Sequence, residues 1–296
     1  MVYEDIAANK RNTFFLFAVF AAVITFLGYF LGLMYGDPYT GVIIGGFVAF
    51  ISIWSSYYNS DKIVIRAARA KPASLKHYKG LHDHVEGMAL AAGMPKPKVY
   101  IINSDSINAF ATGRNPQKAA IAVTAGLLKK LNKEETEAVI AHEMSHIKNY
   151  DILVSSIAAV LLGTIIILSD IMRRSLFFRP GMRRSSGGKG GIALIIAAIF
   201  VSIAAPFAAM MINFAVSRQR EYMADAQAVL LTRWPQGLIA ALEKIREDSG
   251  SYKQEDYSSS AEHMYFTSPS FLRKNIVFST HPPLEKRIER LKKSVY

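Results

Sequence analysis

The chain contains no cysteine in its 296 residues, so disulfide bonds and thiolate metal ligands are excluded. Any metal site must therefore be built from histidine, aspartate or glutamate. Charged side chains are also few, at 20% of the residues, whereas hydrophobic residues reach 51%. One soluble core of this size does not need that much apolar surface, and we expect part of it to face lipid.

Acidic residues are in the minority: 23 aspartates and glutamates stand against 35 lysines and arginines, for a formal net charge of +12. A basic protein is attracted either to nucleic acid or to the anionic cytoplasmic face of a membrane. Beyond Phe177 and Phe178, the basic stretch at 173–189 lacks the interleaved aromatic side chains that stack on bases. We therefore expect the lipid bilayer as a partner and no nucleic acid.

Four long apolar runs predict membrane helices. Residues 12–36 carry no charge and exceed the roughly 20 residues needed to cross the hydrocarbon core. The run at 38–60 follows a short turn and predicts the second arm of a helical hairpin. The runs at 152–169 and 190–217 predict another hairpin, which either spans the bilayer or lies shallow and covered by protein.

The remaining segments predict a soluble α+β domain in two parts. The first part has a helical stretch at 77–94, followed by the β-like pieces KVYII, NAFAT and AAIAVT, which turn residues separate. The second part is helical to about Asp248 and ends in a basic helix, and its serine-rich stretch at 249–275 leaves open whether a lid covers the site. The predicted boundaries are a membrane hairpin at 1–60, the first part of the catalytic domain at 61–151, a hydrophobic hairpin with a basic loop at 152–217, and the second part of the catalytic domain at 218–296.

The clearest chemical signal is the sequence HEMSH, in a stretch that opens with a capping box and is predicted to be helical. On a helix, His142 and His146 lie one turn apart on the same face, as two ligands of a tetrahedral zinc ion would. Glu143 lies between them, where its carboxylate can take a proton from water that zinc has made more acidic. We predict one Zn²⁺ per chain.

A zinc ion that catalyses hydrolysis keeps three protein ligands and one open position, so a third ligand is needed. Glu221 is the best candidate, in the helical stretch SRQREYMADAQA. Asp225 lies four residues further on the same helical face, where it can orient a ligand histidine. Taken alone, this stretch also fits a surface helix on which Arg218 and Arg220 form ion pairs with these acids.

The chain resembles the HtpX-type membrane metalloproteases over nearly its whole length. The matching elements, in order, are the N-terminal hydrophobic hairpin, NAFATG at 108–113, HEMSH at 142–146, the two later apolar runs, SRQREYMAD at 217–225 and THPP at 280–283. The resemblance implies a zincin-like fold with Glu221 as the third zinc ligand. It also implies a cytoplasmic active site and proteolytic quality control of damaged or misfolded membrane proteins.

The same resemblance implies where a substrate would bind. In related zincins an edge strand beside the active-site helix pairs with extended substrate, and Asn108, Ala109 and Phe110 lie in the matching segment. An ordinary edge strand with a buried aromatic residue is the alternative. His281 either donates a hydrogen bond to the developing oxyanion or begins the last helix ahead of two prolines. The two arginines named above are further candidates for stabilising that oxyanion.

The membrane topology carries one conflicting signal. If all four apolar runs span, the basic loop lies on the side opposite the active site, against the positive-inside rule for a cytoplasmic site. The basic residues that flank the first hairpin, however, lie on the active-site side, and the first helices often dominate orientation. We expect a multi-pass protein of the cell membrane whose active site faces the cytoplasm.

Three functions are compatible with the sequence. The first is an endopeptidase that acts on misfolded membrane proteins. The second is a processing protease for a defined membrane or lipidated substrate, since CAAX prenyl proteases share the zinc motif, although they are longer and carry more spans. The third is a non-catalytic, metal-bound membrane scaffold. Glu143 argues against the scaffold, because such a protein has no chemical need for a carboxylate between the histidines.

Overall fold

A computed structural model describes residues 2–177, 217–248 and 282–294. These residues form nine α-helices, four strands and one short 3₁₀ helix at Pro116–Lys118. The helices are α1 (Val2–Tyr35), α2 (Pro38–Ala67), α3 (Lys79–Ala92), α4 (Ala125–Lys130), α5 (Lys133–Lys148), α6 (Asp151–Phe177), α7 (Arg218–Thr232), α8 (Pro235–Glu247) and α9 (Leu284–Ser294). The strands are β1 (Lys71–Pro72), β2 (Lys98–Ile102), β3 (Ala109–Thr112) and β4 (Ala120–Thr124).

Three of the described helices are long and apolar enough to cross a membrane, with candidate spans at Ile6–Leu33, Pro38–Ala67 and Asp151–Leu168. α1 and α2 form the first predicted hairpin, and α6 packs against both of them. Large apolar side chains such as Phe47 and Trp54 are exposed, as expected for surface that faces lipid. Of the fourth predicted span, at 190–217, all residues but the last lie outside the described residues, and so does the basic loop beyond Phe177.

Glycines let α1 and α2 approach each other closely. A Cβ atom added at Gly28 would overlap the carbonyl oxygen of Gly41, and one added at Gly41 would overlap the carbonyl oxygen of Gly28. Small residues at such a crossing allow backbone-to-backbone packing, which matters in lipid because apolar burial from water does not hold helices together there. The glycine pair therefore sets the spacing of the hairpin.

Gly28→Val is expected to lower the free energy of unfolding by about 1–3 kcal/mol, because the new side chain overlaps backbone atoms that cannot move aside. Gly46→Val is the matched control, since a Cβ atom there would meet only the Thr25 hydroxyl, at 3.9 Å. Thermal unfolding of both variants in detergent measures the difference. Equal unfolding temperatures would contradict the close contact between the two helices.

The four strands form one mixed sheet in the order β1-β2-β4-β3. The pairs β1–β2 and β3–β4 are antiparallel, whereas β2 and β4 are parallel. On one face, Ala109 and Ala111 of β3 belong to the same apolar core as Val139, Ile140 and Met144 of α5. On the opposite face, Phe110 of β3 and Ala122 of β4 pack with Ile65 of α2 and Ala159 of α6. The soluble domain therefore sits directly on the ends of the membrane helices, and β3 is an edge strand that is buried on both faces.

Candidate metal centre

Helix α5 supplies the first two candidate ligands. Its start is fixed by the predicted capping box, in which the side chains of Asn132 and Glu135 each accept a hydrogen bond from the other residue's backbone N–H. His142 is fully buried and His146 is half-buried on the same helical face. Their ring centroids lie 4.8 Å apart and their Nε2 atoms 3.1 Å apart. Both imidazoles thus point into one small space.

Helix α7 packs across α5 and supplies the third candidate ligand. Glu221 is buried, with Oε1 3.5 Å from His146 Nε2 and Oε2 3.7 Å from His142 Nε2. One ligand atom from each of these residues lies within 4.8 Å of the other two. The structure therefore brings together the three side chains that the sequence analysis assigned to zinc.

The hydrogen bonds on the far side of each imidazole test whether these residues fit a metal ion. His142 Nδ1 lies 3.0 Å from Asp225 Oδ1, and His146 Nδ1 lies 2.9 Å from Asp151 Oδ2. Because an ionised carboxylate only accepts hydrogen bonds, each Nδ1 carries the proton and each Nε2 directs a lone pair inward. Two lone pairs 3.1 Å apart need a proton or a metal cation between them. Two such nitrogens and one carboxylate fit a zinc ion that keeps an open position.

The electrostatic environment of the site favours positive charge. Burial disfavours the charged form of His146, but its hydrogen bond with Asp151 and the charge of Glu221 raise its pKa to about 9. The same carboxylates would stabilise a metal cation held by the two imidazoles. The charge of the site therefore agrees with its geometry.

Glu143 follows the first histidine on α5 and is 2% exposed. The pKa of its carboxyl is raised above the usual range, mainly by burial. The charges of His142 and His146 and a backbone hydrogen bond from Ala111 act in the opposite direction but do not cancel the rise. Ala111 belongs to β3, so the edge strand passes directly beside this carboxylate. The Glu143 carboxyl therefore adjoins both the candidate metal site and the edge strand.

A buried arginine that the sequence analysis missed supports the site from α9. The Arg287 guanidinium is 1% exposed and donates two hydrogen bonds to Asp225, from Nε at 2.9 Å and from Nη2 at 2.6 Å. Burial opposes ionisation of Asp225, but the charge of Arg287 and the hydrogen bonds from His142 and Arg287 hold its pKa below the usual range. The last helix is thereby joined through Asp225 to the candidate ligand His142.

Arg287→Ala is expected to lower the free energy of unfolding by about 3–5 kcal/mol, because it leaves the buried Asp225 carboxylate without its positive partner. Arg290→Ala is the matched control on the same helix. Its exposed guanidinium lies 4.6 Å from the centroid of the Tyr222 ring, a contact worth about 1 kcal/mol or less. Denaturant unfolding in detergent compares the two variants. Similar losses of unfolding free energy would show that the buried Arg287–Asp225 pair stabilises the fold no more than the surface contact does.

The remaining predicted site residues have separate locations. Arg220 lies behind His146, with Nη1 3.5 Å from Asp151 Oδ1, whereas Arg218 is exposed at the start of α7. Asn108, Ala109 and Phe110 are fully buried at and beside the start of β3, with the Phe110 ring on the face opposite α5. His281 and the possible lid at 249–275 lie outside the described residues.

Comparison with known proteins gives consistent matches. A family model described as Peptidase family M48 matches residues 76–295. A Protease HtpX homolog of Caldanaerobacter subterraneus subsp. tengcongensis is 42% identical over 295 residues, covering 98% of this chain and 97% of that protein. A Protease HtpX homolog of Listeria monocytogenes serotype 4a is 46% identical over 304 residues, covering 98% of this chain and 99% of that protein. The crystal structure of S. mikatae Ste24p aligns with a TM-score of 0.50 at 19% identity, covering 98% of this chain and 66% of that chain.

Proposed function

We propose that this chain, which belongs to peptidase family M48, is a membrane-bound endopeptidase with one zinc ion held by His142, His146 and Glu221. Family membership confirms the resemblance to HtpX-type membrane metalloproteases that was predicted from the sequence. Together with the mixed sheet and the candidate membrane helices, it also confirms the predicted fold class, an α+β zincin-like domain with a helical membrane part. One observation carries the proposal: two imidazoles of α5 and a carboxylate of α7 converge in a buried space beside Glu143.

In the proposed reaction, zinc when bound acts as a Lewis acid and lowers the pKa of a water molecule to about 7. Glu143 accepts the proton of the attacking water and then delivers it to the leaving amine. Burial suits Glu143 to both steps, because a raised pKa brings a carboxyl closer to the working pH, where one group can both accept and release a proton. Asp225 and Asp151 hold the two imidazoles with Nδ1 protonated, so that each Nε2 keeps its lone pair directed into the site.

We place the substrate along the side of β3 that faces away from β4. The Thr124 N–H donates to the Asn108 carbonyl at 3.0 Å, so these residues form a hydrogen-bonded pair of the antiparallel ladder. With a period of two residues, the backbone groups of Ala109 and Ala111 point away from β4. In the described part of the chain no strand pairs with that side. On that side the Ala111 N–H already donates to Glu143, and the Ala109 N–H donates to Asn108 Oδ1 at 3.0 Å. An extended peptide that added there would pass Glu143 and be held by donating its own N–H groups to the carbonyl oxygens of Ala109 and Ala111, which explains tolerance of many side chains.

Backbone N-methylation of a substrate peptide tests this placement. Methyl groups at alternate residues on either side of the scissile bond are expected to raise KM by about tenfold for each lost hydrogen bond, while methyl groups at the residues between them change KM little. The scissile amide itself stays unmodified. Steady-state kinetics with the full chain in detergent provides the measurement. An effect without a two-residue period would contradict pairing along β3.

For the substrate class, we propose misfolded or damaged membrane proteins. The end of α5 at Lys148 and the start of the membrane helix α6 at Asp151 are separated by only two residues, so the proposed site lies close to the bilayer surface. In liposomes, a membrane protein destabilised by mutation is expected to be cleaved faster than its stable form with the same sequence at the cut site. The alternative, processing of a defined or lipidated substrate, predicts equal rates for the two forms.

We also propose that the active site faces the cytoplasm. Because the chain has no cysteine, single introduced cysteines report membrane sidedness without background. Ser74→Cys in the soluble domain is expected to be shielded from a membrane-impermeant thiol reagent in whole cells, and Tyr39→Cys at the start of α2 is expected to react. Both residues are exposed in the structure. The reverse pattern would place the site on the outer side.

His281 keeps both predicted roles: it donates a hydrogen bond to the oxyanion, or it begins the last helix ahead of the two prolines. Arg218 is exposed and Arg220 contacts Asp151, so neither is placed at the oxyanion in this proposal. A non-catalytic scaffold is the remaining alternative. Release of new peptide termini that depends on Glu143 separates the enzyme from the scaffold.

A further inference from the structure

The first membrane helix reaches the candidate metal centre through one polar side chain. Asn9 of α1 is 3% exposed, and Asp151, the carboxylate behind His146, is 4% exposed. We infer that Asn9 is a positioning residue for the metal centre: it orients Asp151, which in turn orients the imidazole of His146. The inference rests on the proposed zinc site and extends it to the membrane part of the chain.

The contacts of Asn9 connect three elements. Its Nδ2 donates to Asp151 Oδ1 at 2.8 Å and to the Asn149 carbonyl oxygen at 3.0 Å, in the link between α5 and α6. Its Oδ1 accepts a hydrogen bond from Arg220 Nη1 at 3.3 Å, on the same helix as Glu221. One amide from the first membrane helix therefore contacts α7, which carries Glu221, and residues that directly follow α5, which carries both histidines.

The two oxygens of Asp151 have different partners. Oδ2 lies 2.9 Å from His146 Nδ1, whereas Oδ1 accepts from Asn9 and lies 3.5 Å from Arg220 Nη1. Rotation of this carboxylate is restrained on the Oδ1 side, so its Oδ2 is held in line with the imidazole. Partners behind a ligand histidine fix its tautomer and ring orientation, and they affect how tightly the metal is held.

Because Asn9 lies near one end of α1, its contact with Asp151 depends on how deep α1 lies in the membrane. At a rise of about 1.5 Å per residue, the helix from Asn9 to Tyr35 measures about 39 Å, which exceeds a hydrocarbon core of about 30 Å. Asn9 lies near the start of the candidate span Ile6–Leu33, at the end of α1 that contacts Asn149 of the soluble domain. Further along α1, Leu16 and Phe20 pack in one apolar core with Ile157 of α6. The membrane hairpin is on this reading a structural part of the metal centre as well as an anchor.

A simple packing role for Asn9 is the alternative, and a double-mutant cycle separates the two. The zinc dissociation constant of the purified full chain is measured in detergent by competition with a chromophoric chelator. Asp151→Asn is expected to weaken zinc binding by about 10- to 100-fold. Asn9→Ala is expected to weaken it by about 3- to 10-fold, because Asn9 affects His146 only through Asp151. The double variant is expected to match Asp151→Asn alone, since Asn9 acts only through Asp151.

Thr13→Val is the matched control on α1. The Thr13 hydroxyl is buried, and it donates to the Asn9 carbonyl oxygen of its own helix at 2.9 Å. This variant is expected to leave the zinc dissociation constant unchanged. In cobalt-substituted protein, Asn9→Ala is expected to shift the visible absorption bands, which report ligand geometry, and Thr13→Val is expected not to shift them.

Unchanged zinc affinity in Asn9→Ala, or losses that add in the double variant, would overturn the inference. If Asn9→Ala does not fold, Asn9→Leu keeps a side chain of similar size while removing the N–H donor without adding charge, and the same pattern is expected of it. A native chain that binds no zinc would refute the proposed function itself. Native zinc binding without any effect at Asn9 would refute only the role of this residue.

Discussion

Glu143→Gln is expected to lower kcat for peptide hydrolysis by about 10²- to 10⁴-fold while the chain keeps about one zinc ion. The amide has nearly the same shape as the carboxylate but cannot accept the proton of the attacking water. Glu143 is not among the proposed ligands, so its replacement should leave the metal in place. The measurement is the rate of appearance of new amino termini from casein, together with zinc content.

Glu137→Gln is the matched control for this variant. Glu137 is on the same helix, but its carboxylate contacts His84 at 2.9 Å, away from the proposed ligands. Full activity is expected of it. If Glu143→Gln retained native activity, another group would be the base. If it lost both zinc and activity, Glu143 would have to act as a ligand or as a support for one.

Glu221→Ala is expected to lose zinc and, with it, activity. Structural four-ligand zinc sites bind with about 10–16 kcal/mol, so one ligand is worth about 3 kcal/mol, or about a 100-fold change in affinity. Excess zinc is expected to restore part of the activity of Glu221→Ala and none of the activity of Glu143→Gln. This difference distinguishes loss of a ligand from loss of the base.

Gln219→Ala provides the control on α7, because Gln219 is exposed two residues before Glu221. Zinc content by elemental analysis and activity across a zinc titration are compared for the two variants. Native zinc affinity in Glu221→Ala would remove Glu221 from the proposed ligand set. The pair of histidines would then need a different third partner.

Features set by neighbouring residues were predictable from the sequence. The capping box fixed the start of α5, and helical spacing placed His142 and His146 on one face. The β-like piece KVYII coincides with β2 at Lys98–Ile102, since alternating apolar residues between turns depend on local pattern. The assignment of Glu221 needed more than spacing, because an acid beside arginines on a helix is usually a surface residue.

Features made by contacts between distant elements were not predictable. Arg287 and His142 are 145 positions apart in the chain, and Asn9 and Asp151 are 142 positions apart. No periodicity marks such partners, and a polar residue at the end of an apolar helix reads as an ordinary interfacial residue. α1 extends back to Val2, beyond the predicted start of its apolar run at residue 12, because its polar end packs on the soluble domain.

The ligand set is the central claim, and anomalous diffraction at the zinc absorption edge from crystals of the purified chain tests it most directly. One peak per chain is expected within about 2.0–2.2 Å of Nε2 of His142, Nε2 of His146 and the carboxylate of Glu221. A peak held by other residues, or one beside the two histidines but out of reach of Glu221, would contradict the account.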